Sequence, residues 1–343
     1  MLSHYQLCLG HCPRFLIFIE KLKKHMENKK TELTEKTPIL DVIHISKSFR
    51  LGFFLKKVKV LEDVFFQVFP GEIVGFLGPN GAGKTTTIRI INGIIFPDGG
   101  SIRIFDQDYT KISVKKRMGF LPEDPYFYHY LTGREFLNFY CQLFGYASSQ
   151  RRKRIHELLK LVGMESKADL QMRKYSRGML QRLGMAQALI NDPELVILDE
   201  PMTNLDPIGR RQMRDIILQL KNEGKTIFFS THILSDVEMI CDRVVIIMQG
   251  KIVSQGKISD LIKEKIDFYE IAFSGIPPQK IARLGECISA RDDKLLIKIA
   301  GYQKMLKAMQ FIEKNKGIII SVNPQKMSLE DIFIKKLQQE NER

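Results

Sequence analysis

The chain has 343 residues, of which 44% are hydrophobic and 27% charged, a balance that excludes a largely disordered protein. This length allows a full core and indicates two domains. No apolar run approaches the roughly 18 residues that cross a bilayer, so we expect no membrane-spanning segment. The 5 cysteines are scattered, which argues against a disulfide framework and favours a reducing compartment.

The formal net charge of +14 leaves three interpretations open. Because Lys and Arg are spread along the whole chain, a solvated basic surface is the simplest of them. Attraction to an acidic membrane face is the second, and nucleic-acid binding is the third and the least favoured.

Residues 1–37 form an N-terminal extension that is rich in Lys and Glu, and we expect it to be poorly ordered. Its apolar stretch is too short for a signal peptide. Met26 begins a more typical polar lead-in, so we interpret residues 1–25 either as a dispensable extension or as the product of a misassigned start.

From Leu40 onward, predicted strands and helices alternate. Apolar strands that alternate with helices indicate a mostly parallel sheet covered on both faces. We assign residues 38–265 to this α/β domain. Its predicted strands are Leu40–Ile45, Val60–Val68, Glu72–Leu77, Leu195–Leu198 and Thr226–Ser230, with a helix at Lys84–Gly93.

Two further regions depart from this alternation. Residues 122–174 have helical patterns only, at Gly133–Phe144 and Arg151–Val162, which predicts an α-helical insert. Residues 266–343 have the order strand, helix, strand, strand, helix, strand, helix. This order is typical of a split βαβ, ferredoxin-like unit, and we interpret it as a small accessory α+β domain with a regulatory or dimerisation role.

A glycine-rich loop lies between a predicted strand and a predicted helix. It reads GPNGAGKT and matches GxxxxGK(S/T), in which small residues let successive backbone N–H groups wrap nucleotide phosphates. Lys84 should then reach the β and γ oxygens, and the Thr85 hydroxyl should ligate Mg²⁺. The predicted phosphate-binding residues are Gly78, Pro79, Asn80, Gly81, Ala82, Gly83, Lys84, Thr85 and Thr86.

A second element ends in two carboxylates. The apolar strand Leu195–Leu198 is followed by Asp199 and Glu200. We expect Asp199 to hold Mg²⁺ through a water, and Glu200 to polarise the water that attacks the γ-phosphate. Alone, two acids after a strand are often only a strand end, but together with the phosphate loop they predict an ATPase.

A third motif, YSRGM at Tyr175–Met179, carries a family resemblance. Residues of about 40–265 resemble the ATP-binding cassette (ABC) ATPases, whose signature loop reads LSGGQ. The resemblance implies that Ser176, Arg177 and Gly178 contact the ATP bound by the opposite subunit of a head-to-tail dimer. It also implies a P-loop NTPase fold of ABC type, with a mostly parallel sheet, an antiparallel β part and the helical insert.

The same resemblance implies roles for residues outside these motifs. Phe49 stands where an aromatic ring stacks on adenine, and Asp206 lies in the loop that joins the two sites. His232 matches the switch histidine that steadies the γ-phosphate. With Lys84 and Glu200, it completes the implied catalytic set.

Two positions depart from the commonest pattern of the family. Glu123 replaces the usual Gln that touches Mg²⁺, and a carboxylate can also ligate Mg²⁺. Met179 replaces the last Gln of the signature loop. Both changes resemble the multidrug, antibiotic and polysaccharide-type exporter ATPases, in which a C-terminal domain often ends in a motif like Leu329–Phe333.

The implied protein is an ATP- and Mg²⁺-dependent ATPase subunit at the cytoplasmic face of the cell membrane. Its implied partners are an integral membrane permease and a second ABC subunit, with a homodimer favoured and no specific nucleic acid. The competing hypothesis is a soluble cassette ATPase that acts on ribosomes or nucleic acid. The aromatic run Tyr126, Phe127, Tyr128 and Tyr130 is either core packing or part of a groove for the membrane partner.

Overall fold

The computed structural model describes residues 37–51, 56–261, 266–277, 285–291 and 294–326. Most of the N-terminal extension, the helix predicted at 280–284 and the closing helix predicted at 329–338 lie outside these ranges. None of the helices in these ranges is both long and apolar enough to cross a bilayer.

The described elements alternate as the sequence predicts. The strands are β1 (Leu40–Leu51), β2 (Lys56–Val68), β3 (Ile73–Leu77), β4 (Gly99–Ile104), β5 (Gln107–Asp108), β6 (Met118–Leu121), β7 (Leu195–Leu198), β8 (Thr226–Thr231), β9 (Arg243–Met248), β10 (Lys251–Lys257), β11 (Ile266–Ser274), β12 (Glu286–Arg291), β13 (Lys294–Ile299) and β14 (Ile318–Lys326). The α-helices are α1 (Lys84–Ile91), α2 (Ile112–Lys115), α3 (Gly133–Leu143), α4 (Ser148–Leu161), α5 (Arg177–Ala188), α6 (Pro207–Asn222), α7 (Leu234–Ile240), α8 (Ile258–Leu261) and α9 (Tyr302–Lys314).

The central sheet has the strand order β10-β9-β3-β8-β7-β6. Strands β9, β3, β8, β7 and β6 pair in parallel, and β10 adds an antiparallel edge. Every residue of β3, β7 and β8 is buried, so the predicted covered, mostly parallel sheet is confirmed. Because parallel strands end at the same edge, the loops after these three strands are neighbours.

A second, antiparallel sheet has the order β2-β1-β4-β5 and packs on the central one. The contact is made by three buried rings. Phe66 of β2 lies 5.4 Å from Phe76 of β3 and 5.3 Å from Phe228 of β8, measured between ring centroids. Gly250, in the turn between β9 and β10, links β2 to the glycine-rich loop: its N donates to Ala82 O at 3.0 Å, and its O accepts from Glu62 N of β2 at 2.8 Å.

The helical insert is confirmed by α3 and α4, which pack with α5 around a buried apolar cluster. Helix α3 begins at a capping box, because Thr132 Oγ1 accepts from Glu135 N at 3.2 Å and Glu135 Oε2 accepts from Thr132 N at 2.8 Å. Helix α4 begins at Ser148, three residues earlier than predicted.

The C-terminal strands form a third sheet in the order β12-β13-β11-β14, and all of its pairs are antiparallel. Helix α9 covers one face with Met305, Ala308 and Ile312, which pack on the alternate residues of β11 and β13. Strands β11 and β13, the first and third of this sheet in chain order, are central. The split βαβ unit stays a prediction, because its first helix lies outside the described residues.

Candidate nucleotide-hydrolysis site

The glycine-rich loop connects β3 to α1 at the carboxyl edge of the central sheet. Gly83 precedes α1 at φ 106°, and Gly81 lies at φ 79°, conformations that favour glycine. A Cβ on Gly78 would overlap the backbone oxygen of Ile247. The loop therefore depends on its glycines, and it brings backbone N–H groups to the N-terminus of α1, where anions bind.

Lys84 is buried at the start of α1. Its Nζ donates to Gly78 O at 2.8 Å and to Pro79 O at 3.2 Å, and it lies 3.2 Å from Glu200 Oε1. The lysine thus connects the phosphate loop to the carboxylate at the end of β7.

Asp199 lies beside the first turn of α1. Thr85 Oγ1 donates to its Oδ1 at 3.4 Å, and Ser230 Oγ donates to the same oxygen at 2.6 Å. Burial raises the pKa of Asp199 above its ordinary value, although both hydroxyls act in the opposite direction. Sequence reasoning missed Ser230. Its position at the end of β8, next to β7 and two residues before His232, was the available signal.

Glu200 has the most constrained carboxylate of the site. Its backbone lies at φ 48°, and its N–H donates to Ser230 Oγ at 2.9 Å. Its Oε2 accepts from Thr203 Oγ1 at 2.8 Å and lies 3.0 Å from His232 Nδ1. Burial alone would raise the pKa of Glu200. The hydrogen bonds from Thr203 and His232 and the charge of Lys84 outweigh burial, so the pKa lies below its ordinary value and favours an ionised base.

A pocket opens above this cluster. Its lining consists of Val60, Asn80, Gly81, Gly83, Lys84, Thr85, Thr86, Glu123 and Glu200. Glu123 therefore lines the same pocket as the phosphate loop, and its contact with Mg²⁺ stays a prediction. Val60 of β2, which sequence reasoning missed, supplies an apolar wall. Phe49 is not among the lining residues: it pairs with Val58 across β1 and β2, and Lys47 Nζ lies 5.6 Å from its ring.

The remaining predicted residues lie away from this pocket. Ser176 caps α5 by accepting from Met179 N at 3.3 Å, and both Ser176 and Arg177 are exposed. Asp206 caps α6 by accepting from Gly209 N at 2.6 Å. Neither these residues nor Gly178 line the phosphate pocket of their own chain.

The donor set suits Mg²⁺ only together with a nucleotide. Among the described residues, no group of three or more His, Cys, Asp and Glu side chains could hold a metal ion. The adjacent Thr85 hydroxyl and Asp199 carboxylate do offer two hard oxygen ligands. This pairing fits Mg²⁺, which proteins commonly bind through one or two carboxylates and substrate phosphates.

A glycine-rich loop at a helix N-terminus, a buried lysine and two carboxylates at the neighbouring strand end define a P-loop nucleoside triphosphatase. The family model described as ABC transporter matches residues 61–203. An uncharacterized ABC transporter ATP-binding protein of Nostoc sp. is 44% identical over 314 residues, covering 90% of this chain and 92% of the relative. The bacitracin transport ATP-binding protein of Bacillus licheniformis is 37% identical over 288 residues, covering 81% of this chain and 92% of the relative.

Solved structures agree with the fold. One described as an ATP-binding subunit of an ABC transporter is 32% identical with a TM-score of 0.58, covering 66% of this chain and 92% of that one. An ATP-binding cassette described as a dimer in a post-hydrolysis state, bound to ADP and Pi, has a TM-score of 0.58 and covers 64% of this chain and 98% of that one. At 24% identity, this second likeness shows the fold alone.

The chain belongs to the ATP-binding proteins of ABC transporters. It is the subunit that binds and hydrolyses ATP. These relatives give no support to the competing hypothesis of an ATPase that acts on ribosomes or nucleic acid.

Proposed function

We propose that the chain powers export through a separate membrane-spanning partner, as one of two identical cassettes that close over two ATP molecules. The observation that carries the dimer is the division of the site. Lys84 and Glu200 line the phosphate pocket, whereas the exposed Ser176 of the same chain is not among the residues that line it. A second cassette is needed to bring a signature loop to each pocket.

In the proposed reaction, backbone N–H groups of the glycine-rich loop and Lys84 Nζ hold the β- and γ-phosphates. Glu200 accepts the proton of the attacking water. Thr203 and His232 both bind its Oε2, which leaves Oε1 to face the phosphates once Lys84 has turned toward them. His232 also steadies the γ-phosphate.

Thr85 and Asp199 would hold Mg²⁺, with Glu123, which also lines the phosphate pocket, as a further ligand. When bound, the ion neutralises charge on the phosphate oxygens. The residues proposed to contact the neighbouring subunit's nucleotide are Ser176, Arg177, Gly178 and Asp206, and Phe49 remains proposed for the adenine.

The proposed docking site for the membrane partner is an aromatic surface made of Tyr126, Tyr128, Tyr130, Phe139 and Tyr140. Neighbouring rings in it lie 5.4–6.2 Å apart. Tyr126 is 80% exposed and Tyr130 is 69% exposed. Phe127 of the same run is buried, and Tyr128 is partly buried against the same core cluster, whereas Tyr126 and Tyr130 are exposed. Contiguous exposed aromatic area marks an interaction site.

Part of this surface also lines a hollow next to the start of α5, the helix that follows Ser176. Glu123, Tyr126 and Phe127 line one hollow together with Arg177 and Thr203. A partner that moved the aromatic surface would therefore move groups on both sides of the site. Export and a position at the cytoplasmic face of the membrane are proposed from this surface and from the bacitracin transport relative.

The test is capture of the partner from membranes in mild detergent. We expect the wild-type chain to retain an integral membrane protein that stimulates its ATPase, and Tyr126→Ser/Tyr130→Ser to lose both effects. Tyr302→Ser, on α9 and 57% exposed, is the matched control and should behave as wild type. Equal capture by both variants would contradict the docking site, and co-purification with ribosomes would contradict the function.

A further inference from the structure

A buried charged cluster lies behind the site, between α6 and α7. Asp236 of α7 is fully buried, and its Oδ1 accepts from Arg214 Nη1 at 3.1 Å. Within the part of the chain that the structure describes, its Oδ2 has no hydrogen-bond partner. The same is true of Nε of Arg210, one turn before Arg214 on α6.

This cluster stabilises the fold less than well-packed apolar side chains would at the same place. Burial raises the pKa of Asp236 above its ordinary value, and the charges of Arg210 and Arg214 act against that rise. A buried carboxylate with an unsatisfied oxygen destabilises a helix interface compared with well-packed apolar side chains. Val237 and Ile240 already supply apolar contacts on α7. The cluster therefore requires a reason other than stability.

The cluster joins the two loops that hold Glu200. Thr203, which donates to Glu200 Oε2, lies just before α6, and His232, which contacts the same oxygen, lies just before α7. Behind these loops, Asp236 and Arg214 link the two helices. Glu200 is thus connected to α6 through Thr203 and to α7 through His232, and the contact between Asp236 and Arg214 joins the two helices to each other.

We propose that Asp236 is a positioning residue for hydrolysis, which sets where His232 meets Glu200 by holding α7 to α6 through its hydrogen bond with Arg214. The inference rests on the roles proposed for His232 and Glu200, and it goes beyond them because Asp236 does not line the phosphate pocket.

The test is a double-mutant cycle on the full-length chain, with kcat and KM for MgATP measured for each variant. We expect Asp236→Asn to lower kcat about tenfold, the size of effect typical for residues that orient reacting groups. KM should change by less than about twofold, because ground-state binding is untouched. Asp215→Asn removes an exposed carboxylate of the same helix α6 and should keep wild-type kinetics.

The decisive comparison is with His232→Ala. If Asp236 acts through His232, the double variant should be no slower than His232→Ala alone, whereas a general loss of structure would multiply the two effects. Arg214, which is 20% exposed, allows the same cycle with Arg214→Gln if Asp236→Asn does not fold.

Multiplied effects, or a folded Asp236→Asn with wild-type kcat while His232→Ala is impaired, would overturn this inference alone. A His232→Ala variant with wild-type kcat would overturn the role proposed for the histidine and the inference together.

Discussion

At the scale of single residues, the site concentrates its constraints on Glu200. A non-glycine residue at positive φ costs about 1–3 kcal/mol and persists only where its surroundings fix it. Here the backbone N–H of Glu200 is held by Ser230, and its carboxylate by Lys84, Thr203 and His232. The strained backbone and the fixed carboxylate both aim one oxygen at the phosphate pocket.

Removing the Thr203 hydroxyl should impair the proposed base without affecting nucleotide binding. We expect Thr203→Val to lower kcat about tenfold at similar KM. Burial alone raises the pKa of Glu200, and the Thr203 bond is the largest contribution against it, so the pKa should rise in the variant. Because an ionised base is lost as pH falls through its pKa, the acid limb of kcat should move to higher pH.

The measurement is kcat against pH from about 3.5 to 7, a window that reaches below the ordinary glutamate pKa of about 4.3, because the pKa of Glu200 lies below that value. Thr203→Ser retains a hydroxyl and should restore both the rate and the limb. A Thr203→Val enzyme with an unmoved acid limb would show that the hydrogen bond does not tune the base.

The sequence located the residues that carry recognisable motifs, because each motif is continuous in the chain. Lys84, Asp199 and Glu200 lie where their motifs predicted. Ser230 and Thr203 were missed because their contacts depend on which strands are neighbours and on how one turn folds. The role of Phe49 stays a prediction.

At the scale of elements, register irregularities explain where predicted boundaries moved. Strand β1 was predicted to end at Ile45, but it continues to Leu51. The prediction stopped too early because three register shifts in the pairing of β1 with β2 break the period-two pattern of side chains. Strand β2 begins at Lys56 rather than at the predicted Val60. The prediction missed its first four residues because they are exposed and polar or short, and so show no apolar pattern. The wholly buried strands had a clear apolar signal, and Leu195–Leu198 was predicted with its observed bounds.

The start of α3 packs closely against Tyr175, which lies just before α5. A Cβ on Gly133 would lie 2.5 Å from Tyr175 Oη, which donates to Lys167 O at 2.6 Å. We expect Gly133→Ala to lower the free energy of unfolding by about 1–3 kcal/mol through overpacking. Adding Tyr175→Phe should recover part of this loss, because the clashing oxygen is gone.

Denaturant unfolding of the two single variants and the double variant measures this coupling. Tyr175→Phe alone should be destabilising, since it removes the hydrogen bond from Tyr175 Oη to Lys167 O, which then accepts only from Leu170 N. Additive losses in the double variant would contradict the close contact at Gly133.

At the scale of the whole molecule, the parallel sheet assembles the site from distant parts of the chain. The loops after β3, β7 and β8 meet at one edge, and this was predictable from the alternation of apolar strands and helices. The strand order and the packing of the antiparallel sheet were not, because neither is encoded in a local pattern. The exposed Ser176 loop remains unused within one chain.

That division predicts a dimer that depends on ATP. We expect Glu200→Gln to lower kcat at least about a hundredfold, as loss of a general base does, while it keeps ATP bound. With ATP present, this variant should double its mass in size-exclusion chromatography with light scattering. Adding Ser176→Arg should abolish the doubling, because a bulky cation then occupies the proposed contact with the neighbour's nucleotide.

Ser148→Arg, at the exposed start of α4, is the matched control and should leave the dimer intact. A Glu200→Gln protein that stayed monomeric with ATP, or dimerised equally well with Ser176→Arg, would contradict a site shared between two chains.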